Sequence, residues 1–110
     1  MRIHHAAFRT TDLSRLERFY CDVLGFRIAR RDDARGSVWL DAAGAVLMLE
    51  RAAPGEPPVP PGSNELLAFA VDDKEAWRPR LAIEAETAHT LYFRDPDGRR
   101  LAVSSYPFDR

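Results

Sequence analysis

The sequence predicts an α+β protein made of two βαβββ modules in tandem, because two parts of the chain are repeated. The stretch LLAFAVDD, residues 66–73, matches HAAFRTTD, residues 5–12, at an offset of 66 − 5 = 61. The stretch DPDG, residues 95–98, matches DAAG, residues 41–44, at an offset of 95 − 41 = 54. The second copy is therefore 61 − 54 = 7 residues shorter. Such a duplication predicts two similar mixed half-sheets that form a concave groove where their faces meet.

The first module, residues 1–53, begins with a predicted strand, RIHHAAFRT, followed by a predicted helix. The helix can be capped by Thr11 or Asp12, and Gly25 stands where a helix end favours positive φ. Apolar residues recur at helical spacing between these ends, at Leu13, Leu16, Tyr20, Val23 and Leu24. Three runs rich in β-branched or aromatic residues then predict strands: FRIARRD, SVWLD and AVLMLER.

A Pro-rich linker, residues 54–64, separates the modules because its five prolines and two glycines favour extended, solvated backbone. The second module, residues 65–110, repeats the pattern with a strand ELLAFAV, a short helix near DKEAWRPRL, and strands HTLYFR and RRLAVSS. Pro79 is expected to end the helix early. The DAAG and DPDG stretches predict hairpin turns between strands.

Composition restricts the classes of protein that this chain can belong to. With 110 residues, 45% hydrophobic and 30% charged, we expect one compact soluble domain, and its small core favours a homodimer. A net charge of −1 argues against nucleic acid as a partner. The single cysteine, Cys21, excludes an internal disulfide, and neither a leader nor a membrane-spanning run is evident. We therefore expect a cytoplasmic protein without a membrane partner.

Two long stretches, HHAAFRTTDLSRLERFYCDVLGFRI and LAFAVDD…YFRDPDGRRLAV, resemble the paired βαβββ modules of the vicinal oxygen chelate superfamily. That family includes glyoxalase I, extradiol dioxygenases, fosfomycin-resistance thiol transferases and bleomycin-binding resistance proteins. The resemblance covers nearly the whole chain apart from the linker and the C-terminal tail. It implies the glyoxalase/bleomycin resistance fold but does not specify a reaction.

In metal-dependent members of that family, four side chains from the first and last strands of the two modules hold a divalent ion. The resemblance and the internal repeat together map these positions to His5, Met48, Leu66 and Ala102. Leucine and alanine have no lone pair, and a thioether is too soft for Mn²⁺, Fe²⁺, Ni²⁺ or Zn²⁺. We therefore expect neither a metal nor another cofactor. His5 with Glu50 is the one weak alternative for a metal, although two ligands fall short of the three or more that a lasting site needs.

The resemblance implies that His5 faces the groove, and period-two alternation along the strands then extends this face to the other predicted groove residues. His5 is the candidate catalytic residue because imidazole is the side chain most often used as a general acid or base, and it can equally serve as a hydrogen-bonded wall residue. Trp39, Tyr92 and Phe93 are candidates for stacking against a ligand or for core packing. The predicted ligand-binding residues are His5, Arg9, Met48, Glu50, Leu66, Ala68, Ala102 and Ser104.

Three functions agree with this pattern. The first is a small-molecule-binding protein that sequesters an aromatic or amphipathic drug or metabolite without a metal. The second is a lyase, isomerase or dioxygenase of the same family, either with a degenerate metal site or metal-free with His5 as acid or base. The third is a structural subunit with a vestigial groove. Whether the chain is an enzyme stays open at the level of the sequence.

Overall fold

A computed structural model of the chain describes residues 1–107. The chain divides into two compact units, and the boundary between them lies between Pro58 and Val59, inside the Pro-rich segment. Each unit contains one four-stranded mixed sheet. The α+β class and the tandem arrangement of modules are thus confirmed. Within residues 1–107, no helix has the length and hydropathy needed to span a membrane.

The sheet of the first unit has the strand order β1-β4-β3-β2. Strand β1 runs parallel to β4, while β4, β3 and β2 are antiparallel neighbours. The elements are β1 (His5–Thr10), α1 (Leu13–Arg18), a π-helical turn (Phe19–Val23), β2 (Arg27–Asp32), β3 (Ser37–Asp41) and β4 (Val46–Arg51).

Helix α1 begins where the sequence predicts. The carboxylate of Asp12 accepts a hydrogen bond from the backbone N–H of Arg15 at 3.1 Å, which is the usual way to satisfy a free N–H at a helix start. Gly25 follows the last turn with φ of +80°. The predicted single helix is nevertheless two pieces, because the backbone N–H of Leu24 bonds to the carbonyl of Phe19 at 3.2 Å and widens the last turn.

The core of the first unit lies on one face of its sheet. Phe8 points to this face, and its ring centroid lies 6.1 Å from that of Tyr20. The other core residues of the helix and the central strands are buried: Leu16, Leu24, Val38, Leu40, Leu47 and Leu49. Because successive strand residues point to opposite faces, the alternate residues lie on the face away from the helix.

The second unit repeats this topology with the strand order β5-β8-β7-β6. Its elements are β5 (Leu66–Ala70), a 3₁₀ helix (Lys74–Arg80), β6 (Ala85–Glu86), β7 (Thr90–Arg94) and β8 (Arg100–Ser104). Strand β6 has only two residues, which is why no sequence pattern indicates it. The predicted helix is present as a 3₁₀ helix, and it ends one residue after Pro79.

Both predicted hairpin turns are present, but they differ in burial. The Asp41 carboxylate accepts one hydrogen bond, from the N–H of Ala43, and is exposed. The Asp95 carboxylate accepts the N–H groups of Asp97 and Arg99 and has no exposed side-chain surface. The same turn motif is therefore a surface feature in the first unit and a buried polar site in the second.

Candidate functional site

The face of the first sheet that points away from the helix, here called the first open face, consists of three cross-strand rows. The register of the strands defines these rows from β1 to β2 as His5, Val46, Asp41 and Arg27, then Ala7, Met48, Trp39 and Arg30, then Arg9, Glu50, Ser37 and Asp32. The four predicted site residues of this unit, His5, Arg9, Met48 and Glu50, all lie on this face.

The corresponding face of the second sheet, here called the second open face, has three matching rows. They run from β5 towards β7 as Leu66, Arg100 and Arg94, then Ala68, Ala102 and Tyr92, then Ala70, Ser104 and Thr90. All four predicted site residues of this unit, Leu66, Ala68, Ala102 and Ser104, share the face. Ala102 has no solvent-exposed surface, so it can touch a ligand only after a neighbouring side chain moves. Its assignment to ligand binding stays a prediction.

The four positions that the family resemblance assigns to a metal do not fit a divalent ion. They provide one imidazole, one thioether and two side chains without donor atoms, at His5, Met48, Leu66 and Ala102. No group of three or more histidine, cysteine or carboxylate side chains that could hold a metal is found in the part of the chain that the structure describes.

The weaker metal pair, His5 with Glu50, does not fit either. His5 stands opposite Val46, so Glu50 is four residues farther along β4, which is about 13 Å at strand spacing. The Glu50 carboxylate is also engaged elsewhere, because it accepts a hydrogen bond from the Arg9 guanidinium at 3.0 Å. A metal bound by these two residues would require them to come closer together and to give up their present partners, His4 and Arg9.

Arg9 is the centre of an ion-pair cluster that includes a residue from the Pro-rich segment. Its Nε and Nη2 atoms donate to Glu56 at 3.1 and 2.9 Å, and Nη1 donates to Glu50. The hydrogen bond from Arg9, and then the one from the backbone N–H of Ala53, lower the pKa of Glu56. The sequence pattern did not reveal Glu56 as a partner of Arg9, since nothing in the Pro-rich composition indicates that the segment folds back to β1.

His5 is exposed and interacts with the histidine before it. The Nδ1 atoms of His4 and His5 lie 2.9 Å apart, and their rings meet edge to face with centroids 5.1 Å apart. Because one of the two nitrogens must donate and the other accept, the pair shares a single proton at this contact. His5 therefore has a defined hydrogen-bond partner on the first open face, while its catalytic role stays a prediction.

Each open face carries an aromatic ring with an arginine above it. The guanidinium carbon of Arg30 lies 5.2 Å from the ring centroid of Trp39, and that of Arg100 lies 4.3 Å from the centroid of Tyr92. Both distances are within the range of a cation–π interaction. Of the two roles predicted for Phe93, the structure shows core packing, because Phe93 is 1% exposed.

The two aromatic residues are equivalent in structure although the turn motif aligns them differently. Trp39 pairs with Met48, and Tyr92 pairs with Ala102. The repeat of the turns at offset 54 would have matched Trp39 with Phe93. Four residues connect the facing pair Asp41 and Val46, whereas five connect Arg94 and Arg100, so the longer loop shifts the register by one residue. In a strand a shift of one residue exchanges the two faces.

Comparison with known proteins agrees with this architecture. The model of the Glyoxalase/Bleomycin resistance protein/Dioxygenase superfamily matches residues 2–103. An uncharacterized protein, YaeR, from Escherichia coli (strain K12) is 31% identical, with 93% of this chain and 94% of that protein covered.

Two crystal structures share the fold at low sequence identity. Lactoylglutathione lyase from Agrobacterium tumefaciens is 23% identical with a TM-score of 0.73, covering 94% of this chain and 92% of that chain. Fosfomycin resistance protein FosX from Mesorhizobium loti is 17% identical with a TM-score of 0.81, covering 97% and 93%. From the family match and the duplicated modules together, the chain belongs to the Glyoxalase/Bleomycin resistance protein/Dioxygenase superfamily, which is the vicinal oxygen chelate superfamily that its repeats resemble.

Proposed function

We propose that this chain binds a small organic molecule with a flat apolar part, and that it does so without a divalent metal ion. The observation that carries the proposal is that Met48 offers only a soft thioether and that Leu66 and Ala102 offer no donor atom, which leaves His5 alone among the four family positions. A site that cannot polarise a bound oxygen through a metal retains only binding, orientation and proton transfer by side chains.

The first open face offers a suitable surface for such a molecule. The half-buried Trp39 and Met48 are direct neighbours across β3 and β4, and Ala7 continues the same row on β1. Burying about 200 Å² of apolar surface contributes about 5 kcal/mol at ~25 cal/mol per Å². Polar residues in the rows on both sides, such as His5 and Arg9, can then orient the ligand.

Untagged protein should carry well below one equivalent of Ni, Zn, Mn or Fe in elemental analysis, because the donor set fits none of them. Addition of Ni²⁺ or Zn²⁺ should leave the thermal midpoint unchanged, since only an ion that binds the folded state stabilises it. The variant His5→Ala is the control, because any metal site built on the His5 imidazole would lose its metal in this variant. One equivalent of metal that disappears in His5→Ala would contradict the proposal and favour a metal-dependent enzyme.

A neutral flat probe, 2-naphthylmethanol, should bind in the presence of EDTA with a Kd of about 0.1–1 mM, as expected for a small apolar ligand without a metal anchor. Calorimetric titration measures this value. The variant Trp39→Leu should weaken binding several-fold because the stacking surface is lost. As a matched control, Trp77→Phe changes the other tryptophan of the chain, which lies on the 3₁₀ helix, and should leave the affinity unchanged. Binding that persists in Trp39→Leu would place the probe elsewhere.

The competing function is a metal-free isomerase or lyase in which His5 acts as acid or base. Its support is the exposure of His5 and its hydrogen-bonded position beside His4 on the first open face. The two functions differ in what His5→Ala does: loss of turnover with intact binding indicates catalysis, while loss of binding alone indicates recognition. The homodimer and the cytoplasmic location also stay predictions. The homodimer is predicted because a chain of 12.5 kDa has a small core of its own.

A further inference from the structure

The Trp39 ring is held in a fixed orientation on the first open face, and Arg30 stacks over it. The indole Nε1 of Trp39 donates a hydrogen bond to Oγ of Ser37 at 3.1 Å, and Ser37 is only 8% exposed. The ring therefore has a defined orientation before any ligand arrives. Arg30 itself is exposed, with its guanidinium carbon 5.2 Å from the ring centroid.

A bulge in β2 is what brings Arg30 onto this face. Ile28 stands opposite Leu40, but the next pair is Arg30 with Trp39, so Ala29 is an extra residue on the β2 side. In a regular register without the bulge, Ala29 would stand opposite Trp39, and Arg30 would stand opposite Val38 and point to the other face. Bulges of this kind commonly redirect a side chain near a functional site.

The charge of Arg30 is not compensated by an ion pair, in contrast to the charges of Arg9 and Arg100. Arg9 is held by Glu50 and Glu56, and Arg100, the stacked arginine of the second open face, has its Nε 3.4 Å from the Glu84 carboxylate. Arg30 forms no ion pair with any carboxylate of residues 1–107.

The nearest carboxylate along the strand does not compensate this charge either. Asp32 follows Arg30 by two residues on the same face, but its carboxylate interacts with Arg35. It accepts a hydrogen bond from the backbone N–H of Arg35 at 3.2 Å and forms an ion pair with the Arg35 guanidinium. The first open face therefore presents an aromatic ring and, over it, a planar cation that has no ion-pair partner among residues 1–107.

We infer that Arg30 and Trp39 form a subsite for a flat organic anion, namely an aromatic carboxylate whose ring stacks against Trp39 while its carboxylate pairs with the Arg30 guanidinium. This inference rests on the proposed function and specifies its ligand class. A guanidinium binds a carboxylate through two parallel hydrogen bonds. In an aryl carboxylate a single bond joins the ring to the anion, so one ligand can contact both Trp39 and the Arg30 guanidinium, which lies 5.2 Å from the ring centroid. The bound ring takes over part of the face that Arg30 now covers.

The test compares naphthalene-2-carboxylate with the neutral 2-naphthylmethanol by calorimetry at pH 7, low salt and in EDTA. Wild-type protein should bind the carboxylate about fivefold more tightly, the upper range for an exposed ion pair. Arg30→Gln should reduce this preference, taken as the ratio of the two affinities within the same variant, to about one. Arg30→Lys, which keeps the charge but not the paired donors, should retain only part of the preference.

The matched control is Arg18→Gln, which removes the same charge from an exposed arginine on α1. It should keep the full preference for the carboxylate. Equal affinity of the wild type for both probes, or a preference that survives Arg30→Gln, would overturn the inference. Neither outcome would affect the proposed function, which is tested by binding of the neutral probe. An equal loss of preference in Arg18→Gln would also overturn it, because the effect would then come from net charge. Failure of both probes to bind would overturn the inference and the proposed function together.

Discussion

Replacement of Tyr20 by alanine is expected to lower the free energy of unfolding by about 3–5 kcal/mol, the range for removing a large buried aromatic side chain. Tyr20 has no exposed surface, and its ring centroid lies 5.5 to 6.3 Å from those of Phe8, Phe19 and Phe26. The cavity would lie under β1, the strand that carries His5 and Arg9. Urea unfolding monitored by circular dichroism measures the change.

Tyr20→Phe is the control, because it keeps the ring and changes only the hydroxyl. We expect it to retain most of the stability that Tyr20→Ala loses. A loss below about 1 kcal/mol in Tyr20→Ala would be that of a surface substitution and would contradict the packing described for α1 against the sheet.

Replacement of Asp95 by alanine should lower the free energy of unfolding by about 3 kcal/mol, because it removes the acceptor of several buried donors. The carboxylate accepts the backbone N–H groups of Asp97 and Arg99 and pairs with Nη1 of Arg99 at 3.0 Å. The Arg99 side chain is only 13% exposed and keeps Asp97 as a partner at 3.0 Å, so most of the expected loss comes from the two backbone N–H groups that lose their acceptor. The midpoint of chemical unfolding reports this loss.

The first unit supplies the matched control for this substitution. Asp41 occupies the same place in the DAAG turn, but it is exposed and accepts only the N–H of Ala43. Asp41→Ala should cost less than about 1 kcal/mol. If both alanine variants lost the same stability, the burial of Asp95 would not be the cause.

The local features of the fold were accessible from the sequence because each depends on residues close together in the chain. The cap at Asp12, the positive φ at Gly25 and the two hairpin turns all follow from the conformational preferences of single residues. The form of the helices was less accessible. A widened π turn after α1 and a 3₁₀ helix before Arg80 depend on how each segment packs, not on helical periodicity.

The candidate site was predictable in part. Period-two alternation correctly grouped His5, Arg9, Met48 and Glu50 on one face, since the pleat of a strand forces it. The ion pair between Arg9 and Glu56 was not predictable, because these residues are 47 positions apart and come into contact only when the Pro-rich segment folds back.

By itself, the sequence determined the duplication, the order of the elements apart from the two-residue β6, and the residue types at the four positions that the family resemblance assigns to a metal. These properties depend only on residue type and spacing, which the chain carries before it folds. The tertiary structure alone decided which side chains share a surface: Arg30 with Trp39 through the bulge at Ala29, and Tyr92 instead of Phe93 through a loop one residue longer. The physical reason is that strand register sets the face of every residue beyond a bulge or loop, and register is fixed by pairing between distant strands.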